Sequence, residues 1–504
     1  MTRLYHLDDV RQGFSDSCDV VIVGSGAGGA VAAANLAAAG MDVVLLEAGP
    51  RLTPADMTRD GPTFMARYYW EGGLRMILGS NQIPAMAGRC LGGSTVVNSA
   101  IMLKLPDWVR QIWAERDGLD WIRDDAVDRA FERVFDTLNV APTPMDVMGR
   151  RNRLSRDILT AAGLKNAPLP RAVRGCEGGG DCITACPSGA KQSADRNYIP
   201  SAMRSGARVY TCAVVEQVLT EGGRAVGVSG TVVAPIGRRR LAPFTIQAKR
   251  VIMAAGVVNT PAILLRSGIH GGKRVGKTFY MHLSGGAVAV MDEPVDPWVG
   301  ATQGWGAISP DIQGLKYESL WAPPSLIMVK WGGMGERWLE QIQDARNVCL
   351  VVVVYRGQCS GRVRVRRDGS PSPTLWIPKH EVHTLLRGLK VAVDGMLDVG
   401  ARFVTTGIHG VPDEIRTPED AQHMLSTRIR AGDMDMTGNH VFGSCRMSAN
   451  PRQGAVDLDG KVHGVDGLYI MDGSICPDGT AVNPQATIMA MSDVLSRRLG
   501  ELEA

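Results

Sequence analysis

No apolar run in this chain reaches the roughly 18 residues that a membrane-spanning helix requires, so no such helix is expected. The start, Met1-Thr-Arg-Leu-Tyr-His6, has neither an apolar signal core nor a twin-arginine pair. These two features read as a soluble, cytoplasmic protein, with periplasmic export left open only through a signal-bearing partner. Charge of one sign is also lacking. A net charge of +4 over 504 residues gives no reason to expect nucleic acid or an anionic membrane as partner, and the run Arg238-Arg239-Arg240 reads as a solvated turn. There is no internal repeat and no low-complexity tract. The hydrophobic and charged shares, 45% and 21%, are those of a globular protein, and the length predicts two domains.

The most specific local signal lies near the start. Asp19-Val-Val-Ile-Val-Gly-Ser-Gly-Ala-Gly-Gly29 is an apolar strand that runs into Gly24-x-Gly26-x-x-Gly29, followed by an Ala-rich helix and a second strand, Asp42 to Leu46, closed by Glu47. This is a complete strand-helix-strand dinucleotide unit. Gly24 permits the tight turn, Gly26 admits the pyrophosphate to the backbone N–H groups, and Gly29 lets helix and strand pack closely, with phosphate on the positive helix end. Glu47 is placed to accept from a ribose 2′-OH, and its carboxylate would repel a 2′-phosphate. That argues for FAD or NAD and against NADP.

Further along, Gly88-Arg-Cys-Leu-Gly-Gly-Ser-Thr-Val-Val-Asn98 is a second glycine-rich segment where backbone can pass close to a flat ring. Ala248 to Pro261 reads as another strand of the nucleotide sheet, then a helix with Pro261 in its first turn. Between residues 291 and 430 the texture changes to short alternating strands such as Gly361 to Arg366, and six of the ten tryptophans, at 298, 305, 321, 331, 338 and 376, lie there. A helix from His380 to Val399 leads back to a strand at Gly467 to Asp472. The expected fold is therefore α/β, or α+β overall: a Rossmann-like nucleotide-binding domain of residues 1–290 and 431–504, and a second domain of residues 291–430 built on an antiparallel sheet.

Four of these blocks, in this order, resemble the glucose-methanol-choline (GMC) oxidoreductases, and the resemblance covers nearly the whole chain. They are Gly24 to Glu47, Gly92-Gly-Ser-Thr-Val-Val-Asn98, Ala254-Ala-Gly-Val-Val-Asn-Thr-Pro261, and a C-terminal block containing His440-Val-Phe-Gly-Ser-Cys-Arg-Met447 and Val482-Asn-Pro-Gln-Ala-Thr-Ile488. The resemblance implies an FAD enzyme that oxidises an alcohol or sugar hydroxyl, with His440 and Asn483 as the catalytic pair. Such chemistry needs a base of near-neutral pKa at the hydroxyl and a second group to hold the oxygen, roles that fall to His440 and Asn483 respectively. It also implies flavin contacts at Gly26, Glu47, Arg89, Gly93, Ser94, Asn98, Val214 and Asp472, with Val214 on a strand from Val209 to Val215. Some members tether FAD through a His just after the Gly-Gly-Ser. Val96 and Val97 stand there in this chain, so the FAD is expected to be non-covalent.

Three of the ten cysteines fall within eleven residues, in Cys176-Glu-Gly-Gly-Gly-Asp-Cys182-Ile-Thr-Ala-Cys186-Pro187. In an unsecreted enzyme such spacing points to metal or redox chemistry before disulfides. The loop looks like an iron-sulfur ligand loop and is similar to that of the catalytic subunits of bacterial FAD-dependent glucose dehydrogenases. That likeness implies a [3Fe-4S] cluster on Cys176, Cys182 and Cys186, electron transfer to a cytochrome, and a small accessory subunit. The alternative is an oxidase that makes hydrogen peroxide and has no cluster.

Overall fold

In the computed structural model, residues 3–321, 334–426 and 428–501 are described; Trp331 lies outside them. The first sheet begins with the strand Phe14–Val23, whose apolar end Val20 to Val23 is buried on both faces, as is its parallel neighbour Val43–Leu46. Beyond Val43–Leu46 follow Arg208–Tyr210 and Leu4–Tyr5, all parallel. On the other side, Arg240–Met253 runs parallel to Phe14–Val23 and antiparallel to Arg224–Val233, which in turn pairs with Ala213–Glu221. The far end of Arg240–Met253 takes a last parallel partner, Leu468–Ile470, from near the C-terminus.

The helix Ala27–Ala38 covers this sheet and packs on the C-terminal helix Gln485–Glu501, where Ser492 donates to the Gly28 carbonyl and Asn35 to Asp493 and Ser496. The start and end of the chain thus meet at the nucleotide turn. Two details differ from expectation. The single strand from Val209 to Val215 is broken at Thr211 and Cys212, where Cys212 adopts φ +59°, so Val214 belongs to a separate antiparallel strand. Pro261 sits inside the helix Gly256–Arg266 and not in its first turn.

A second sheet is antiparallel throughout, in the order Phe403–Thr405, Leu283–Val290, Val348–Tyr355, Leu315–Leu320, Trp305–Ile308 and Asn166–Pro168. The helices Lys379–Asp398 and Gly149–Ala161 bury their apolar faces against it. Trp305 and Trp321 are core residues here, while Trp376 is exposed. A smaller sheet joins Ser360–Val365 and Pro371–Trp376 to Met76–Gly79 and Ile83–Pro84. Between the main sheets a short ribbon pairs Tyr280–Met281 with Val441–Phe442. It sets His282 and His440, 158 positions apart in sequence, beside each other. None of the described helices is long and apolar enough to cross a membrane.

Candidate active site

The nucleotide cradle is built mainly from backbone. Gly24 has φ +104°, and a Cβ there would lie 2.4 Å from the Ala254 carbonyl oxygen; a Cβ on Gly29 would lie 1.9 Å from that of Gly24. Gly26 precedes the helix Ala27–Ala38, whose first turn has no side-chain cap, and a Cβ on Gly26 would meet nothing within 4 Å. Uncapped N–H groups beside open space form an anion seat at a helix N-terminus. The second glycine segment lies directly on the first. A Cβ on Gly93 (φ +55°) would come 2.9 Å from Gly26 Cα, and Gly92 N–H donates to Ser25 Oγ at 2.9 Å.

Glu47 is buried and accepts from Ser25 Oγ at 2.5 Å, Ser25 N at 3.2 Å and Gly49 N at 2.8 Å. Burial raises its pKa. Arg89 donates to the Ala48, Arg67 and Pro235 carbonyls while its Nε, also buried, has no partner among the described residues. Asp472 accepts from Gly256 N at 2.8 Å, Thr260 Oγ1 at 2.6 Å and Ser474 N at 2.8 Å. Asn98 donates to Gln485 at 2.5 Å and accepts from Ala100 N. Ser94 is exposed and accepts from Gly88 N, and Val214 is half-buried. Buried hydroxyls of Ser474 and Thr487 likewise lack partners among the described residues. An uncapped helix end and orphaned buried polar atoms are what a dinucleotide with phosphate and hydroxyl groups would satisfy, so the residues present fit FAD.

Four hundred residues later the chain supplies the polar pair. His440 Nδ1 lies 3.2 Å from His282 Nδ1, with the rings edge to face. The other nitrogen of His282, Nε2, accepts from Ala481 N at 3.1 Å, and Ala481 is held at φ +61°. Ala481 belongs to the loop that carries Asn483. Asp478 anchors that loop by accepting from Trp113 at 2.7 Å, Arg116 at 2.7 Å and Arg356 at 2.8 Å, and the Gly479 carbonyl accepts from Arg356 Nε at 2.6 Å.

Asn483 Oδ1 accepts from Lys316 Nζ at 2.5 Å. Lys316 is paired with Glu318 inside the protein, and Glu318 also accepts from Gln303 at 3.0 Å. Burial alone would raise the Glu318 pKa, but Lys316 outweighs it and holds the carboxyl ionised. Enclosure, with a smaller contribution from Lys316, lowers His440 to about 4 against the partial opposition of Glu318. The near-neutral base expected from the sequence is thus a strongly suppressed one. His282 is pushed well below its ordinary value by burial first, then by His440, Lys316 and Arg356.

The cysteine loop does not have the ligand geometry expected of it. Among the described residues no group of three or more His, Cys, Asp or Glu side chains is placed to hold a metal ion. Cys182 is buried, with its sulfur 3.2 Å from Arg171 Nη2, while Cys186 turns to Ser188 and Cys176 packs against the first core. Burial would raise the Cys182 pKa, but Arg171 and Lys191 pull it below the usual thiol value. Lys191, itself buried, donates to the Cys182 carbonyl at 2.6 Å, to the Asn98 carbonyl at 2.8 Å and to that of Val96, which ties the cysteine loop to the second glycine segment.

Sequence reasoning missed His282, Lys316, Glu318 and Lys191. One signal was available for two of them. Lys316 and Glu318 are opposite charges two apart in the strand Leu315–Leu320, hence on one face, which in a buried strand implies a pair.

Profiles described as GMC oxidoreductase match residues 20–284 and 358–492. An uncharacterized GMC-type oxidoreductase of Mycobacterium tuberculosis is 33% identical over 477 residues, covering 94% of this chain and 74% of that one. A long-chain-alcohol oxidase of Arabidopsis thaliana is 26% identical over 98% of this chain and 69% of its own length. Among solved structures, pyridoxine 4-oxidase from Mesorbium loti superposes with a TM-score of 0.71 at 18% identity, covering 95% of this chain and 99% of that one.

Proposed function

The chain belongs to the GMC oxidoreductases, and on that premise we infer that it holds FAD without a covalent tether and oxidises an alcohol or sugar hydroxyl to a carbonyl, with His440 and Asn483 gripping the reacting oxygen. The observation that carries this reading is the convergence of His440 and the Asn483 loop on one residue, His282. Bound FAD supplies a two-electron acceptor for the carbon that bears the hydroxyl. The chain's own contribution would be placement: Gly26 and the helix Ala27–Ala38 would hold the phosphates, Glu47 the ribose, and the segment from Gly92 to Asn98 the flavin ring. Asp472 stiffens the junction with the helix Gly256–Arg266. We keep the division into residues 1–290 with 431–504 on the cofactor side and residues 291–430 as substrate roof as a proposal, with the difference that Leu283–Val290, Asn166–Pro168 and the helix Gly149–Ala161 lie in or against the second sheet. Long-chain-alcohol oxidases and an oxygen-dependent choline dehydrogenase among the relatives favour an alcohol-type substrate.

The electron acceptor divides two readings. A route without a cluster is favoured by the geometry, because Cys182 is engaged by Arg171 and the three sulfurs are not gathered. A [3Fe-4S] relay to a cytochrome is the second reading. It is favoured by the bridge from Lys191, which ties the cysteine loop to the second glycine segment. Iron content and low-temperature EPR of protein purified without oxygen decide between them: about three irons per chain supports the relay, whereas iron-free flavoprotein that makes peroxide with each turnover supports the oxidase. For the shared chemistry, His440→Ala is expected to leave FAD bound and slow substrate-driven flavin bleaching by about a hundredfold or more. Unchanged bleaching refutes the site.

A further inference from the structure

Lys316 and Glu318 form a buried ion pair in the second sheet, beside Asn483. They stand two apart on the strand Leu315–Leu320 and share one face, while Tyr317 between them joins the core. Taking two charges out of water is costly and is tolerated where their other donors and acceptors are also met. Glu318 accepts from Lys316 at one oxygen and from Gln303 at the other, at 3.0 Å, and the Asn483 amide nitrogen bonds it as well. Lys316 in turn donates to Asn483 Oδ1 at 2.5 Å. Lys316, Glu318 and Asn483 thus close a ring of three hydrogen bonds.

That ring admits one orientation of the amide. Half a turn of the Asn483 carboxamide would set its NH2 against the Lys316 ammonium and its carbonyl against the Glu318 carboxylate, two repulsions in place of two bonds. An aspartate at this position would face Glu318 with a second carboxylate, and an apolar residue would leave both charges short of a partner. Of the two amide N–H groups one is committed to Glu318, which leaves the other for a ligand. Glu318 is itself occupied by three donors, and the acceptor left for a hydroxyl proton is the neutral ring of His440.

We propose that Lys316 and Glu318 are positioning residues that lock the Asn483 amide, so that its remaining N–H is presented to the substrate oxygen while His440 takes the hydroxyl proton. This rests on the reading of His440 and Asn483 as the pair that grips the oxygen. The lock reads sign: a cation fixes the amide oxygen and an anion fixes the amide nitrogen. The donor is therefore aimed before substrate arrives, and little orientational freedom is lost on binding.

Two measurements on the FAD-loaded protein test this. In NMR of 15N-asparagine-labelled protein without substrate, with the Asn483 amide assigned by its loss in Asn483→Ala, one amide proton is expected far downfield, as for a charged acceptor, and its partner at an ordinary shift. Glu318→Gln preserves shape but removes the charge, and the downfield signal is expected to return to the ordinary range. Two ordinary signals in the native protein, or a signal unmoved in Glu318→Gln, overturn the proposal. In stopped-flow flavin reduction, Asn483→Ala is expected to cost about a hundredfold in the native background, as for the loss of an oxygen-holding donor, but less than about tenfold once Lys316→Met and Glu318→Leu have together removed the lock. That double replacement strands no charge, so it separates loss of the lock from loss of the fold. Equal factors in the two backgrounds mean that the amide needs no lock and overturn the proposal. If Asn483→Ala costs nothing in the native protein, or no alcohol or sugar bleaches the flavin, the functional reading fails, whereas the NMR signals decide the lock by themselves.

Discussion

Acidification from pH 7 to pH 5 is expected to destabilise this protein partly through His440. The ring sits near 4 in the folded protein against an ordinary value of 6.5, because enclosure and the neighbouring Lys316 disfavour its charged form. With the folded pKa depressed, the unfolded chain binds the proton more readily between the two values. Stability contributed by the neutral ring is complete above about pH 6.5 and is lost progressively as the pH falls toward 4. The full difference is worth about 3 kcal/mol, of which about 2 kcal/mol is lost between pH 7 and pH 5. Urea unfolding followed by near-ultraviolet circular dichroism at both pH values, on native protein and on His440→Gln, isolates this share. Other titrating groups, including His282, Glu318 and Asp478, are common to the two proteins. The native protein should lose about 2 kcal/mol more than the variant over that interval; an identical loss in both would show that the fold does not suppress protonation of His440.

Lys316→Met strands the Glu318 carboxylate inside the protein and is expected to cost about 3–5 kcal/mol, while Lys316→Met with Glu318→Leu recovers most of it, as a thermal denaturation cycle would reveal. Equal losses in single and double variants would mean that the two charges are not coupled. Gly93→Ala places a methyl against Gly26 Cα in a left-handed backbone and is expected to lower the FAD content of purified protein at least tenfold by visible absorbance. Cys182→Ser is expected to leave substrate-driven flavin reduction largely intact under both acceptor readings, whereas slower transfer to a cytochrome-type acceptor alone would mark the relay; parallel loss of both rates would make the loop structural.

The sequence was most legible where backbone geometry dictates residue type. Gly24 and Gly29 are required by close approaches that exclude a side chain, while Gly26 leaves open space before the helix, and continuous apolar runs such as Val20 to Val23 announced parallel strands buried on both faces. The strand from Val209 to Val215 was misjudged because its break comes from a single left-handed residue, Cys212, that no local propensity marks. Pro261 misled in the opposite way, since a helix tolerates it when its packing is otherwise strong. The partners of the polar pair were hidden for a different reason. His282 lies between the strands Tyr280–Met281 and Leu283–Val290, Lys316 lies in Leu315–Leu320, and they meet His440 and Asn483 only through sheet pairing, which periodicity along one segment does not encode. Three close cysteines gave spacing without direction, and it is direction that decides whether sulfurs converge.

The strand Leu468–Ile470 docks on Val251 to Met253, residues made roughly 200 positions earlier. At about 5–20 residues per second the ribosome needs some 10–40 s to bridge that gap. During this interval the nascent sheet shows a bare, wholly apolar edge, and neither the helix Gln485–Glu501 nor Asn483 has yet been made. The sheet and the helix that backs the nucleotide turn are therefore completed only once Leu468–Ile470 and Gln485–Glu501 have been made.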